Sequence, residues 1–292
     1  MAALCVSLWL ACGDMLVPMR NLLLGALLWA SLAMGQAKPL RLYIMDCGTI
    51  GAMDMALYNL KLDELKGPAT LVNPCYLIVH PRGTLMWDVG QISDEKFPED
   101  GKPANTGVFQ AKKKLLPQLA EIGYKPSDIT YLALSHYHSD HTANANAFAG
   151  STWIVQETER KAMFEGPQAR IQDRTTYDKL KDAKTILLKG EDKDVFGDGT
   201  VVLKYAPGHT PGHQMLFLKL AKLGPVLLAG DLYHYPEEKT LDRVPTFDGD
   251  AAMTRVTRKA VEEFVKQTGA QMWIEHDETT HAKLKKSPEF YE

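Results

Sequence analysis

Ser135-His136-Tyr137-His138-Ser139-Asp140-His141 is the stretch that decides how this chain folds. Three histidines and an aspartate fall within six positions, directly after the apolar run Ile129 to Leu134. Alternate residues leaving a strand point the same way, so His136 and His138 can share one ion. Asp140 and His141, on the turn that follows, can face a second. Donors recur after other apolar runs. Ala206-Pro207-Gly208-His209-Thr210-Pro211-Gly212-His213 follows the predicted strand Val201 to Tyr205; His209 is the expected ligand, and His213 is expected to orient a neighbour. Leu227-Leu228-Ala229-Gly230-Asp231 ends a buried strand in a carboxylate, and Trp273-Ile274-Glu275-His276-Asp277 ends another in an imidazole. Neutral imidazoles and carboxylates converging from stiff backbone are what a divalent metal requires. His80 and His281 lack such company and are expected at the surface.

Outward from the motif, period-two runs predict strands at Arg41 to Met45, Tyr76 to His80 and Thr84 to Asp88, the last two joined through Pro81-Arg82-Gly83. Residues between Gly48 and Asn73 lack clean helical spacing and are read as an excursion over one face. The spacing of Val108, Leu115, Leu116 and Leu119 predicts a helix over Gly107 to Ile122, with Pro117 expected to kink or split it. Beyond the motif come a strand at Thr152 to Gln156, a helix near Thr158 to Phe164, and a polar stretch from Gly166 to Asp182 read as a mobile loop or helical lid. Strands at Thr185 to Leu188, Val201 to Tyr205, Gln214 to Leu220 and Val226 to Ala229 follow, then a helix at Asp250 to Gln267 and a strand at Gln271 to Ile274. Strands outnumber helices, and polar residues recur at strand ends. That pattern suits a sandwich opening onto one site.

The composition narrows the class of partner. In 292 residues, 33 Lys+Arg stand against 36 Asp+Glu, for a net charge of −3. The longest basic run is Lys112 to Lys114, which leaves no electrostatic footprint for nucleic acid. A small-molecule partner is expected.

Residues 1–37 read as a leader, and 38–292 as one catalytic domain. From Met19, an arginine at Arg20, an apolar run Leu22 to Leu32 and small residues around Ala33-Met34-Gly35-Gln36-Ala37 have the form of a secretory signal peptide, with cleavage expected after Gly35 or Ala37. Translation starting at Met19 fits the same pattern. A retained membrane anchor is the rival, although the run is short for a span of about 20 residues. After cleavage no membrane association is expected, and a periplasmic or secreted location follows. Of the four cysteines only Cys47 and Cys75 then remain; an oxidising compartment permits a disulfide, and two buried free thiols are the alternative.

These motifs, in this order, resemble the metallo-β-lactamase fold superfamily, with Trp87-Asp88-Val89-Gly90 matching its early Asp-x-Gly strand end. The resemblance runs from Arg41 to Glu292. It implies an α/β fold, a four-layer αβ/βα sandwich, with two zinc ions per chain. On that pattern His136, His138 and His209 hold one zinc, Asp140, His141 and His276 hold the other, and Asp231 bridges them.

Within the superfamily the chain most resembles the N-acyl homoserine lactonases, on Asn73-Pro74-Cys75-Tyr76-Leu77-Ile78, the central motif, and His276-Asp277 with the terminal Ser287-Pro288-Glu289-Phe290-Tyr291-Glu292. One position departs. Those lactonases carry a substrate-contacting Tyr three residues after the bridging Asp; here that residue is His234, flanked by Tyr233 and Tyr235, so Tyr233 or His234 is the candidate contact. The implied function is quorum quenching: hydrolysis of an acyl lactone by a hydroxide bridging ions about 3.5 to 4 Å apart, with Asp140 relaying the proton. Met53, Met55, Leu57 and the loop around Phe164 are candidates for an acyl groove, with ordinary core or a homodimer interface as the stronger alternative. The rivals are a β-lactamase, which generally lacks the bridging carboxylate supplied here by Asp231, a broad esterase or thioester hydrolase of the same fold, and a metal-binding protein without turnover.

Overall fold

The structure is a computed structural model and describes residues 39–167 and 173–292. The leader at 1–37 lies outside the described residues, as does the middle of the polar stretch after Gly166. Among the described residues no helix is long and apolar enough to cross a membrane.

Among the described residues fourteen strands form two sheets. The first takes β1 (Arg41–Ile50), β2 (Leu71–His80), β3 (Gly83–Trp87), β4 (Ala104–Thr106), β5 (Phe109–Ala111), β6 (Tyr131–Ala133), β7 (Thr152–Gln156) and β8 (Thr185–Leu188), ordered β4-β5-β1-β2-β3-β6-β7-β8. The second takes β9 (Lys193–Asp194), β10 (Val201–Tyr205), β11 (Gln214–Leu220), β12 (Gly224–Leu228) and β13 (Gln271–Trp273), ordered β13-β12-β11-β10-β9. The terminal β14 (Phe290–Tyr291) returns to pair with β1. The helices are α1 (Leu115–Glu121), α2 (Ser139–Thr142), α3 (Glu157–Phe164), α4 (Pro236–Thr240), α5 (Ala251–Thr268) and α6 (Glu278–His281).

Side-chain parity builds the layers. Leu42, Ile44, Tyr76, Ile78, Leu85 and Trp87 face inward and meet Leu203, Leu216, Leu218, Val226 and Leu228 of the second sheet. Their neighbours Tyr43, Met45, Leu77 and Met86 point the other way, onto Leu115 and Leu119 of α1 and Ala162 and Met163 of α3. On the far side Met215, Phe217 and Leu227 pack under Val261, Phe264 and Val265 of α5. The result is the expected α/β four-layer αβ/βα sandwich. Burying each such Leu or Ile contributes roughly 1.5–3 kcal/mol, so the two sheets are held together mainly by this interior.

Several expectations are corrected. Gly107 to Ile122 is not one helix: Ala104–Thr106 and Phe109–Ala111 pair as a hairpin whose turn holds Gly107 at φ +79°, and the helix begins only at Leu115. Asp94 caps it, accepting from the backbone N–H of Leu115 (2.7 Å) and Leu116 (2.8 Å). Pro117 then sits in the first turn, where its missing N–H costs nothing, and neither kinks nor splits the helix. The polar stretch is not a free lid in its described part, because Tyr177 and Leu180 are buried with Phe148 and Trp153. His80 and His281 are not surface residues. His80 stacks on Phe196 and meets Asp198 at 2.8 Å, and His281 is buried beside Tyr76. Of the two open readings for the cysteines the structure takes the disulfide: Cys47 and Cys75 are joined across β1 and β2.

Candidate metal centre

The strands whose C-terminal ends reach one edge of the sandwich deliver the donors. β3 and β6 run parallel, and so do β12 and β13, so Asp88, the 135–141 motif, Asp231 and His276 emerge at carboxyl ends, where ligand sites of such sheets form. The loop after β10 adds His209. Gly230 is needed for its turn: it holds φ +51°, and a Cβ there would stand 2.7 Å from His213 Nε2. That nitrogen instead accepts the Asp231 backbone N–H at 3.0 Å, while His213 Nδ1 meets the Ala206 carbonyl at 3.0 Å. His213 thus orients Asp231.

Two donor groups result, each with ligand atoms within 4.8 Å of one another: His136, His138, His209 and Asp231, and Asp140, His141, His276 and Asp231. In the first, His136 Nε2 lies 2.8 Å from His138 Nδ1 and 3.2 Å from His209 Nε2. Asp231 Oδ2 stands 3.5 Å from both His136 and His209. In the second, Asp231 Oδ1 lies 3.3 Å from His141 Nε2 and 3.0 Å from His276 Nε2, and Asp140 Oδ2 lies 3.4 Å from His141 Nε2. One carboxylate therefore turns an oxygen to each group.

The donor set fits divalent cations. His141 Nε2 and Asp231 Oδ1 are buried without a hydrogen-bond partner although they lie close together. Nitrogen lone pairs converging at 2.8–3.2 Å have no other occupant that suits them. The rings are also fixed from behind, as ligating imidazoles need. His141 Nδ1 meets Asp88 Oδ2 at 3.0 Å, His209 Nδ1 meets Asp248 Oδ1 at 2.9 Å, His276 Nδ1 meets the Val72 carbonyl at 2.8 Å, and His136 Nδ1 meets Ser135 Oγ at 3.0 Å.

Electrostatics point the same way. Burial, then the neighbouring His141, lowers His136 well below its ordinary value, and burial with His209 holds His138 at about 3, so both keep the neutral form that ligates. Burial alone would raise Asp231, but His276, His141, His136 and His234 draw it well below the carboxylate range. Burial would lower His141, yet Asp231, Asp140 and Asp88 hold it well above 6.5.

The seven residues expected as ligands are brought together. The two substrate-contact candidates are separated. Tyr233 turns away: its hydroxyl donates to Glu262 at 3.1 Å and its ring lies under Arg258 in the core beneath α5. Tyr233 is therefore not at the site, a correction to the expectation. His234 faces it, with Nε2 3.3 Å from Asp231 Oδ2 and Nδ1 3.2 Å from Glu238 Oε1. Against the opposing effect of burial, Glu238 and Asp231 raise His234 to about 10.

A cavity of about 340 Å³ opens over the donors. Its floor is His138, Asp140, Asp231, His234 and His276; its walls are Ile50, Met53, Leu57, Tyr58, Leu71, Phe109 and Phe247. Met53 and Leu57 thus take the expected place. Met55 is buried beneath them, and Phe164 packs on Trp153 and Tyr177 away from the cavity, so those two are corrected. Sequence reasoning missed Tyr58, whose ring lies 5.2 Å from His234 and 5.3 Å from Phe247. It also missed Asp248, Glu238 and the fully buried Glu275, whose carboxyl is pushed well above its ordinary range by burial and by Asp88.

Comparisons with known proteins agree with this geometry. The family model described as "Metallo-beta-lactamase superfamily" matches residues 70–268. The chain is 30% identical over 267 residues to the N-acyl homoserine lactonase AttM of Rhizobium radiobacter, covering 86% of this chain and 98% of that protein. It is 32% identical over 235 residues to the N-acyl homoserine lactonase AiiA of Bacillus thuringiensis subsp. kurstaki, covering 74% and 85%. Among solved structures it superposes with a TM-score of 0.70 on an N-acyl homoserine lactone hydrolase with the product N-hexanoyl-L-homoserine bound at the catalytic metal centre, at 25% identity over 86% of this chain and 98% of that one. The chain belongs to the metallo-beta-lactamase superfamily and groups within it with the N-acyl homoserine lactonases.

Proposed function

We propose that this chain is a dizinc hydrolase that opens the lactone ring of N-acyl homoserine lactones. The observation that carries the reading is Asp231, one carboxylate with an oxygen toward each of two histidine-rich groups, at the floor of an apolar cavity. The kinship with named lactonases supports the choice of substrate. Five imidazoles and two carboxylates suit zinc: His136, His138 and His209 would hold one ion, Asp140, His141 and His276 the other, and Asp231 would serve both.

A bound zinc pair supplies a nucleophile from water near pH 7 and polarises an ester carbonyl. The chain's own residues do the rest. The apolar walls from Met53, Leu57, Tyr58 and Phe247 bind the acyl chain and exclude water. Asp140, partly open to the cavity, takes the proton released as water adds to the carbonyl carbon and returns it to the ring oxygen when the C–O bond breaks. The product is the open hydroxy acid. His234 and the Tyr58 hydroxyl offer the substrate polar contacts. The Cys47–Cys75 disulfide supports work in an oxidising compartment, after loss of a leader near residue 37.

The test is a substrate panel on purified mature protein: acyl homoserine lactones, simple lactones, a cephalosporin and a thioester. Acyl lactones are expected to turn over fastest. Brisk cephalosporin hydrolysis with no lactone opening would reject the proposal.

A further inference from the structure

Glu159 does not line the cavity over the donors and belongs to neither donor group, yet the residue is only 3% exposed and its carboxylate is fully engaged. Oε1 accepts the Tyr137 backbone N–H at 2.8 Å, and Oε2 accepts the Gly212 backbone N–H at 2.7 Å. The Thr210 hydroxyl meets both oxygens, at 2.9 and 2.8 Å. Tyr137 lies between His136 and His138, while Thr210 and Gly212 lie in the turn that follows His209. One side chain of α3 therefore ties together the two loops that bring the three histidines of the first donor group. The fit leaves no slack: a Cβ on Gly212 would stand 2.5 Å from the Glu159 backbone nitrogen, and Thr158 Oγ1 donates to the Pro211 carbonyl at 2.9 Å.

We infer that Glu159 is a positioning residue that sets the metal affinity of the three-histidine half of the site and leaves the Asp140/His141/His276 half untouched. The physical reason is reach. Charge-assisted bonds from a buried carboxylate fix the backbone on both sides of the convergence of His136, His138 and His209, at nitrogens 2.8 to 3.2 Å apart, and a small displacement of either loop opens it. His141 and His276 are held instead by Asp88 and Val72, on other elements. Burial pushes the Glu159 carboxyl up to about 7 against those three donors, the mark of a group kept at an energetic cost.

The inference rests on the ligand assignment above, not on the substrate, and its test separates the two. His276→Ala leaves the three-histidine half to bind metal, and His209→Ala leaves the other. Zinc dissociation constants are measured by chelator competition in each background, with and without Glu159→Gln. Gln keeps one acceptor oxygen and turns an N–H at the other loop. The expected result is a 10- to 100-fold loss in the His276→Ala background and less than a threefold change in the His209→Ala background. Glu159→Asp, one carbon short of both loops, is expected to match or exceed the Gln loss, with helicity unchanged by circular dichroism. Equal losses in both backgrounds, or none in either, overturn the inference. A chain that binds two zinc ions but opens no lactone defeats the proposed substrate and leaves this inference standing; a wild-type chain that takes up no zinc defeats both.

Discussion

Asp88→Asn tests the other half of the site by moving a ring proton while keeping the side chain's shape, at the loss of one buried charge beside His141 and Glu275. Asp88 is completely buried and holds φ +50°, a left-handed conformation that Asn tolerates as well as Asp does, so the backbone has no reason to move. Its Oδ1 accepts the Ser135 backbone N–H at 2.6 Å, and its Oδ2 faces His141 Nδ1 at 3.0 Å. The Ser135 N–H must keep an acceptor, so the amide oxygen of Asn goes there and the amide N–H₂ faces the ring. His141 Nδ1 then has to accept, and the ring proton moves to Nε2, the nitrogen 3.3 Å from Asp231 Oδ1. A protonated Nε2 cannot ligate. Restoring the ligating tautomer forfeits the ring's hydrogen bond, and such partners are worth about 10- to 100-fold in metal affinity, roughly 1.4–2.8 kcal/mol. Ser135 Oγ, 3.1 Å from the same Nδ1 but shared with His136, sets the lower end of that range. Chelator competition on His209→Ala protein, which retains only the His141-containing half, reads the loss directly. Zinc affinity within threefold of the Asp88 parent, in a variant that melts like it, would refute the tautomer argument.

Three further outcomes are expected. Removing the Cys47–Cys75 disulfide as Cys47→Ala/Cys75→Ala frees a loop with a sequence separation of 28, and should lower unfolding free energy by about 3.5 kcal/mol in urea titration; a loss below about 1 kcal/mol would show that the crosslink constrains little. Burial, with Lys286 beside it, holds His281 at about 3, so between that value and the unfolded value near 6.5 the unfolded chain carries the extra proton and stability rises with pH. Taking metal-free protein from pH 7 to 5 should therefore cost wild type about 2 kcal/mol more than His281→Phe, read calorimetrically as a gap of about 4–8 °C; parallel pH profiles would reject this. Tyr58→Phe should lower kcat/KM for acyl lactones about tenfold through one lost hydrogen bond while leaving zinc content unchanged, and unaltered kinetics would assign the polar contact to His234 alone.

What the sequence made legible was whatever sits at the end of an apolar strand. His136 to His141, His209, Asp231 and His276 each follow a run whose period announces it, and the backbone does the converging. The groups behind them gave no such signal. Asp248 reaches His209 from 39 residues away and Glu159 reaches Gly212 from 53; each is a lone carboxylate on a loop or helix, where a charge is ordinarily solvated. The misread helix before Glu121 has a similar cause. Three apolar residues from Leu115 on do fit a helical face, but Asn105 to Gln110 alternate about a glycine turn, and six residues are too few for either period to dominate. The lack of ligand neighbours points His281 to the surface, whereas its position on α6, against Tyr76, is fixed by a chain return that no local pattern encodes.

The choice between Tyr233 and His234 was open in sequence but not in geometry. Tyr233 continues from Asp231 and Leu232 in extended backbone, φ −142° and ψ 145°, and Tyr235 is extended as well, so successive side chains must diverge. Tyr233 goes to Glu262 and Arg258 under α5, and Tyr235 donates to the Ala69 carbonyl on the opposite wall. Only the residue between them can look onto the donors. That residue is a histidine with Glu238 behind it and Asp231 before it, and Glu238 is in turn held by Arg258. Asp88 behind His141, Asp248 behind His209 and Glu238 behind His234 repeat one arrangement: a buried carboxylate outside the two donor groups faces Nδ1 of the ring and fixes which way Nε2 points. The chemistry of the centre is therefore set one layer further out than the motif that reveals it, and substitutions in that outer layer should change metal affinity half by half while the fold persists.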